Sequence, residues 1–467
     1  MIRRDALHLI PLSLSGLTGI ALNAKAQRHQ KRPDMFHGQH EPLAVRYTKK
    51  VRDMLLWIRE TQSENLLEAS YVLARTAMKK RTCWCSWDMG HNTNMDMFPE
   101  RNGVPEIITM GYNPEKAKKG DSFLASIWGG PHEDLVKKEI TVIGGPAPWG
   151  GDSKGSEFLR DDVKKLRMRP YSHIWIETNI TTHGAIMNIP GETAPFGPVS
   201  GIIGLVTYWM MLSDACRILA LDGKSVPVRG DAPILSSDNV PQINLHDPLM
   251  DDYFEQVMLQ IEQIGAEMGD IRRIAEMSVD SVLAGGKVYC YSRYRNSLCV
   301  EGHHRRGGLA LTRGLCERDG KLTPLDGGDF KGSSKDLVIM GIWEPDDEID
   351  LKNLDIFKQH GMKVASIGPM TRDIAVPAGR TIPKEADVHV GRMCDTYGLY
   401  AIPGFERKVS PTSGPLINQI WWSLCMEIAE QIIRRTGNAP GVFLSGAIKG
   451  GREHNNFIMR KYHERGY

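Results

Sequence analysis

The chain has 467 residues, 41% hydrophobic and 24% charged, with a formal net charge of +2. This is a globular composition, and the length suits two to four domains of about 100–200 residues each. The basic residues fall in short separate clusters (Lys49-Lys50, Lys79-Lys80-Arg81, Lys116 with Lys118-Lys119), which excludes the clustered basic face of a nucleic-acid-binding protein.

At the N-terminus, Arg3-Arg4 precede an apolar stretch from Leu7 to Ala21, and Ala24-Lys25-Ala26 reads as an A-x-A cleavage site. Residues 1–26 therefore read as a secretory signal of the twin-arginine (Tat) type, cut before Gln27. An exported, periplasmic protein is expected; the alternative is an uncleaved N-terminus on a cytoplasmic one. No other stretch approaches the roughly 18 apolar residues of a membrane span, so no membrane contact is expected after cleavage. Residues 27–41 are polar and read as a linker.

Residues 42–80 are helical by period, with Val51, Leu55, Ile58, Leu66, Ala69 and Leu73 on one face. Strands are expected at 81–86, 106–110, 121–127, 140–143 and 174–176, then a long apolar helix at 199–221. Residues 223–247, rich in Pro, Asp and Ser, read as a connector. A helical run at 248–283 follows, then strands at 288–292, 337–342, 364–367 and 387–390, and a closing helix at 416–433. Alternating helices and near-continuous apolar strands predict parallel sheets covered on both faces. Ligands of such sheets sit beyond the carboxyl ends of the strands, so the loops after Ser86, Ile127, Ser292 and Ile342 should carry the chemistry. The eight cysteines include no C-x-x-C pair, and most are expected to be small buried hydrophobes.

The chain also repeats itself. Ile402-Pro403-Gly404 follows Ile189-Pro190-Gly191 at a displacement of 213 residues, and the same displacement carries Pro198-Val199-Ser200-Gly201 onto Pro411-Thr412-Ser413-Gly414. Asp121 and Trp128 recur as Asp336 and Trp343 at a displacement of 215. A period this long is that of a duplicated domain rather than a solenoid.

The run Val409 to Gly414 before a long helix, then Gly441 to Gly446, then Gly450-Gly451-Arg452-Glu453-His454-Asn455, resembles the ending of sugar isomerase (SIS) domain proteins of the phosphosugar-binding type. Asp88-Met89-Gly90-His91-Asn92 stands where that family has a Gly-rich loop after its first strand. The resemblance extends from about residue 42 to the C-terminus. It implies an α/β protein of two tandem SIS-type, flavodoxin-like, three-layer αβα domains with parallel sheets, at 42–243 and 244–467. It also implies a sugar or sugar phosphate as ligand, with no cofactor. Units of this family pair through their helices, which implies a pseudo-symmetric dimer within the chain and leaves a homodimer open.

The departures from the family pattern bear on the ligand. Where the family has a hydroxyl-rich phosphate loop at a helix N-terminus, the first unit keeps Ser126 and Gly129 but has Trp128 between them. The second unit reads Trp343-Glu344-Pro345-Asp346-Asp347, whose carboxylates would repel a phosphate. An unphosphorylated, hydroxyl-rich sugar against Trp128 and Trp343 is the expectation. Gly90, Asn92, Ser200, Thr412, Ser413 and Asn455 complete the expected substrate-binding set.

Aldose–ketose isomerisation or epimerisation needs a base to move a proton between C1 and C2 and an acid for ring opening. Glu453 and His454 are the first candidates, because Gly450-Gly451 lets backbone approach a ligand; the bland alternative is a C-terminal packing motif. His91, after the first strand, is the third catalytic candidate. His303 and His304 point roughly 100° apart if helical, a poor metal pair; one of them is a candidate to reach across to the other unit's site, as the resemblance implies. His132-Glu133-Asp134, after the degenerate loop, is a candidate to bind sugar or metal, against the commoner reading of a helix start where acids favour the dipole. Glu177 and Asn179 match the family's acid–Asn after the fifth strand, with Asp395 the counterpart in the second unit. No spacing singles out a metal site. Two other function classes stay open: a non-catalytic sugar-sensing module, and a hydrolase or lyase using Glu344, Asp346 and Asp347.

Overall fold

A computed structural model describes residues 41–85, 96, 101–125, 132–145, 150–235, 243–293, 298–372 and 375–467. The expected signal peptide, nearly all of the linker, and the candidates Gly90, His91, Asn92, Ser126, Trp128 and Gly129 lie outside the described residues.

Two sheets organise the chain. The first contains β1 (Cys83–Cys85), β2 (Ile108–Met110), β3 (Ser122–Ala125), β4 (Thr141–Gly144) and β5 (Ile174–Trp175), in the order β2-β1-β3-β4-β5. All its pairings are parallel. A small antiparallel ladder, β6 (Ala185–Met187) on β7 (Phe196–Pro198), flanks it. The second sheet contains β8 (Val288–Ser292), β9 (Thr312–Arg318), β10 (Lys321–Pro324), β11 (Leu337–Gly341), β12 (Lys363–Ile367) and β13 (Val388–Val390), in the order β10-β9-β8-β11-β12-β13. Only β10 runs antiparallel there. Without β10, the two sheets share the flavodoxin-like strand order.

The sequence repeat reappears as repeated contacts. Asp121 precedes β3, and its carboxylate accepts from the Thr82 N–H (3.1 Å), which precedes β1. Asp336 precedes β11 and accepts from the Lys287 N–H (2.8 Å), which precedes β8. Each carboxylate fixes the start of a central strand whose first amide lacks a ladder partner.

The expected apolar strands fall within two residues of their predicted bounds. The β9–β10 hairpin was not anticipated: Arg313, Gly314, Glu317 and Arg318 break the apolar run. Its two-residue turn, Asp319-Gly320 with φ of 51° and 78°, is the Asp-Gly type that suits strand twist. The helical run expected at 248–283 is split into Leu249–Ile264 and Met268–Leu283 by a 3₁₀ turn, Gly265–Glu267.

Seven helices matter here: α1 (Leu43–Met78), α2 (Ser200–Leu221), α3 (Leu249–Ile264), α4 (Met268–Leu283), α5 (Glu348–Gln359), α6 (Ser413–Thr436) and α7 (Gly451–Arg465). By length and composition α2 does meet the requirement for crossing a membrane, against the sequence-based expectation. It is instead entirely buried in the protein, where it and α6 form the centre of the core. A helix apolar on every face is one surrounded on every face.

The two units interlock through their helices. The Leu43 N–H, opening α1, donates to Glu430 on α6 (2.9 Å). The Leu249 N–H, opening α3, donates to Asp214 on α2 (3.0 Å). Each unit's first helix thus has an orphan amide satisfied by the other unit's closing helix. Buried Tyr47 donates to the Pro198 carbonyl (2.7 Å), and buried Tyr253 to that of Pro411 (3.0 Å), so the repeated prolines mark equivalent docking points. All eight cysteines are buried. Burial raises the Cys83 thiol to about 12, so it stays protonated at neutral pH.

Candidate functional site

The repeated Ser-Gly at the start of α2 and α6 has a physical reason. At the N-terminus of α6, Ser413 accepts from Arg101 (2.6 Å), which pairs with Asp96 (3.2 Å). Asp96 also accepts from the Trp209 indole (2.7 Å) on α2. At the N-terminus of α2, Ser200 accepts from Arg305 (2.9 Å), which pairs with Glu301 (2.7 Å). Glu301 accepts from the Trp422 indole (2.8 Å) on α6. Carboxylate, arginine and tryptophan come from one unit and the serine from the other. The glycines leave room for the carboxylates: a Cβ on Gly414 would lie 2.0 Å from Asp96 Oδ2, and one on Gly201 would lie 3.0 Å from Glu301 Oε1. Ser200 and Ser413 each thus accept a hydrogen bond that joins the units.

Beyond the carboxyl ends of β4 and β5, Arg160 pairs with Asp162 (2.8 Å) and Arg169 reaches Glu177 (4.0 Å). Segments 150–160 and 176–184 follow β4 and β5. The second unit packs Arg305 and Arg306 beside the β6–β7 ladder that flanks this sheet, where Gly307 meets Ala185 and Pro198. Burial lowers the pKa of Arg306, and the like charges of Arg305 and Arg160 lower it further. Among the described residues, two buried polar atoms here lack hydrogen-bond partners, Thr178 Oγ1 and His183 Nδ1. Burial also lowers the pKa of His183, so its ring is neutral at pH 7. The sequence reading missed His183, Arg160 and Arg306; the Thr-Thr-His run after β5 was the available signal. Glu177 accepts from the Trp175 indole (3.3 Å) and the Asn179 N–H (3.3 Å), and Asn179 sits at φ 55°. These contacts shape the turn after β5.

The carboxyl edge of the second sheet is acidic and internally paired. Arg372 pairs with Glu344 and with Asp346 (3.0 Å). Asp347 pairs with Arg293 and caps α5 by accepting from the Ile349 and Asp350 N–H groups (both 2.9 Å). The carboxylates of the hydrolase or lyase alternative are thus held by arginines. The structure brings Trp343, Thr412 and Ser413 together here. Arg101 lies over the Trp343 ring at 5.0 Å, and the Thr412 N–H donates to Asp395 (2.5 Å). Burial raises the pKa of Asp395, and Thr412 and Arg101 oppose that rise.

The C-terminal candidates lie apart from Trp343, Thr412 and Ser413. Gly450, at φ 74°, caps α7, and a Cβ on Gly451 would lie 2.1 Å from the Ser445 carbonyl oxygen. Glu453 is exposed in the first turn, where an acid favours the helix dipole. His454 Nε2 lies 2.9 Å from the Val442 carbonyl oxygen. Asn455 accepts from the Leu444 N–H (2.7 Å) and donates to the Leu444 carbonyl (2.9 Å). His454 and Asn455 thus hold segment 442–444. The continuation of that segment docks on the loop after β4, with the Arg160 N–H donating to the Ala447 carbonyl (2.9 Å).

His303 and His304 stack at 4.2 Å, and His304 packs against Phe443 at 5.0 Å. Burial and the neighbouring His303 push the His304 pKa down to about 4. His132 opens a short helix with Glu133 and Asp134 in its first turn. Among the described residues, no group of three or more His, Cys, Asp or Glu is gathered as a metal ion would require.

No protein-family model and no curated protein sequence matches the chain. Solved structures similar to it include the C-terminal domain of glucosamine-fructose-6-phosphate aminotransferase from Francisella tularensis (11% identity, 84% of this chain and 96% of that one, TM-score 0.40). Another is glucosamine-6-phosphate deaminase from Thermotoga maritima (11% identity, 87% and 99%, TM-score 0.40). A third is tagatose-6-phosphate ketose/aldose isomerase from Escherichia coli (12% identity, 87% and 99%, TM-score 0.41).

Proposed function

We propose that the chain binds a sugar phosphate at the carboxyl edge of its first sheet and moves a proton between C1 and C2 of the sugar. The observation that carries this reading is Arg306, half-buried within reach of the like charges of Arg305 and Arg160. Burial and two like charges disfavour the charged form of Arg306, so an anion placed beside it gains from that guanidinium, while Arg305 is matched by Glu301 (2.7 Å) and Arg160 by Asp162 (2.8 Å). The second edge, with Glu344, Asp346, Asp347 and Asp395 around it, offers a phosphate no such gain. The phosphate loop of the first unit is degenerate in sequence, and in this reading Arg306 takes over its task.

His183 supplies the proton chemistry in this reading. A neutral imidazole with a buried nitrogen that has no partner among the described residues can accept a carbon-bound proton and return it to the neighbouring carbon. We further propose that the mature chain begins at Gln27 and is exported, in line with the twin arginines and the A-x-A site.

The test is proton NMR of the mature protein in D₂O with a panel of aldose and ketose phosphates. Deuterium should appear at C2 of one substrate. Arg306→Ala should weaken sugar-phosphate binding by about 10–100-fold, the value of a charge-assisted hydrogen bond. His183→Ala should bind normally and exchange nothing. Binding without exchange in the wild-type chain would favour the sugar-sensing module; absence of binding would overturn the proposal.

A further inference from the structure

A second pocket lies at the opposite end of the second sheet. It encloses a cavity of about 250 Å³ lined by Lys287, Tyr289, Arg313, Asp326, Asp329 and Lys331, among others. Lys287 precedes β8 and Arg313 is the second residue of β9, opposite Tyr289 in the parallel register. The pocket therefore opens at the amino ends of these strands, away from both carboxyl edges. The loop after β10 closes it, turning through Gly327 and Gly328 at φ of 89° and 82°.

The pocket has a firm base. Tyr289 is buried and its ring meets Phe330 edge-on at 5.4 Å. Arg313 pairs with Asp326 (2.5 Å) and lies over the Tyr462 ring of α7 at 4.5 Å, with its side chain only 12% exposed. One guanidinium is thus held in place by a carboxylate and an aromatic face. Burial pushes the Tyr289 phenol up to about 12, so it remains a donor throughout the physiological range. With Arg313 matched by Asp326, the remaining charges are the exposed Lys287 and Lys331 against the exposed Asp329. Four donor groups (two ammonium, one guanidinium, one phenol) therefore surround a cavity of metabolite size.

We infer that this pocket binds a small oxyanion-bearing metabolite, a phosphate monoester or a carboxylate, at a site separate from the sugar site. Lys287 and Lys331 supply the charge, Tyr289 and Arg313 fix orientation, and Asp329 at the rim limits how much negative charge is tolerated.

Calorimetry on the Arg306→Ala chain reads this pocket with the first-sheet edge weakened by about 10–100-fold, and the Lys287 and Lys331 variants tell the two sites apart. Inorganic phosphate, a sugar phosphate and gluconate are titrated separately to distinguish phosphate from carboxylate. One saturable site should remain for at least one of them. Adding Lys287→Ala and Lys331→Ala, both exposed positions, should abolish it with the urea midpoint unchanged. Tyr289→Phe keeps the ring packing and should weaken binding about tenfold, the value of one hydrogen bond to a charged group. Asp329→Asn should tighten it. Unaltered binding after loss of both lysines would overturn the inference. So would weaker binding in Asp329→Asn, a calcium titration that saturates where all three anions fail, or no saturable site for any anion.

Discussion

The repeated Ser-Gly motif offers a prediction with a built-in control. Gly414→Ala and Gly201→Ala are the same substitution at equivalent positions of two buried networks, but the clearances differ. The new Cβ would lie 2.0 Å from Asp96 Oδ2 at position 414, and 3.0 Å from Glu301 Oε1 at position 201. At 2.0 Å Asp96 must move, which breaks its contacts with Arg101 (3.2 Å) and Trp209 (2.7 Å). Arg101 is fully buried, so it would be left uncompensated. Breaking a buried ion pair costs about 3–5 kcal/mol, against a helix-propensity gain of at most about 1 kcal/mol for replacing Gly with Ala. The net loss for Gly414→Ala is then about 2–4 kcal/mol. At position 201 the opposing atom ends a longer side chain and needs to give only a few tenths of an ångström. The propensity gain offsets most of that, so Gly201→Ala should lie within about 1 kcal/mol of wild type. Urea unfolding followed by tryptophan fluorescence reads both, since Trp209 and Trp422 are the network indoles. Equal stabilities, or Gly201→Ala as the weaker variant, would refute the assignment of these glycines to carboxylate clearance.

Other outcomes follow from single contacts. Burial raises Asp350 to about 8, and its carboxyl accepts from Tyr291 (2.7 Å). Its unfolded value is about 3.9, so the folded chain holds the extra proton; this contribution is complete below about pH 4 and is lost as pH rises through about 8. Asp350→Asn should flatten the stability profile across that window and exceed wild type at pH 9; parallel profiles would contradict the assignment. Asn455→Ala removes both hydrogen bonds to Leu444, at a cost of about 1–3 kcal/mol. The Leu444 amide should then exchange faster in hydrogen-exchange measurements, while unchanged protection would remove the anchoring role. Tyr47→Phe and Tyr253→Phe should each lower stability by about 1 kcal/mol in the same urea assay, and by similar amounts, because each loses one buried hydrogen bond to an equivalent proline carbonyl. A twofold disparity in cost would argue that the docking points are not equivalent.

What could be read from the residues follows a physical divide. Runs such as Val288–Ser292 and Leu337–Gly341 declare themselves as buried parallel strands because every side chain is enclosed. β9 did not, because Arg313 serves a pocket and Gly314 admits the Cys299 carbonyl, and both interrupt the apolar run. The equivalence of Pro198 with Pro411 and of Ser200 with Ser413 was visible as a repeat. Its purpose was not, because the partners Arg101 and Arg305 lie far from these serines in sequence. His454 and Asn455 carry the signature of a ligand site, but a polar side chain that satisfies backbone looks the same in sequence as one that meets a substrate. Arg306 stood out only once folding placed it beside Arg160.

The exchange of partners between the closing helices has a consequence on the ribosome. Ser200 is synthesised 213 residues before Ser413. At about 5–20 residues per second the emerging α2 waits roughly 10–40 s for the helix that will cover it. Early in that interval Asp214 lacks the Leu249 amide, 35 residues on, and Ser200 lacks Arg305, 105 residues on; throughout it, a segment apolar enough to cross a bilayer lacks the cover of α6. The newborn N-terminal half is thus a natural client for a holding chaperone. A fragment ending near residue 243 should aggregate rather than fold, and should be rescued when the C-terminal half is supplied alongside it.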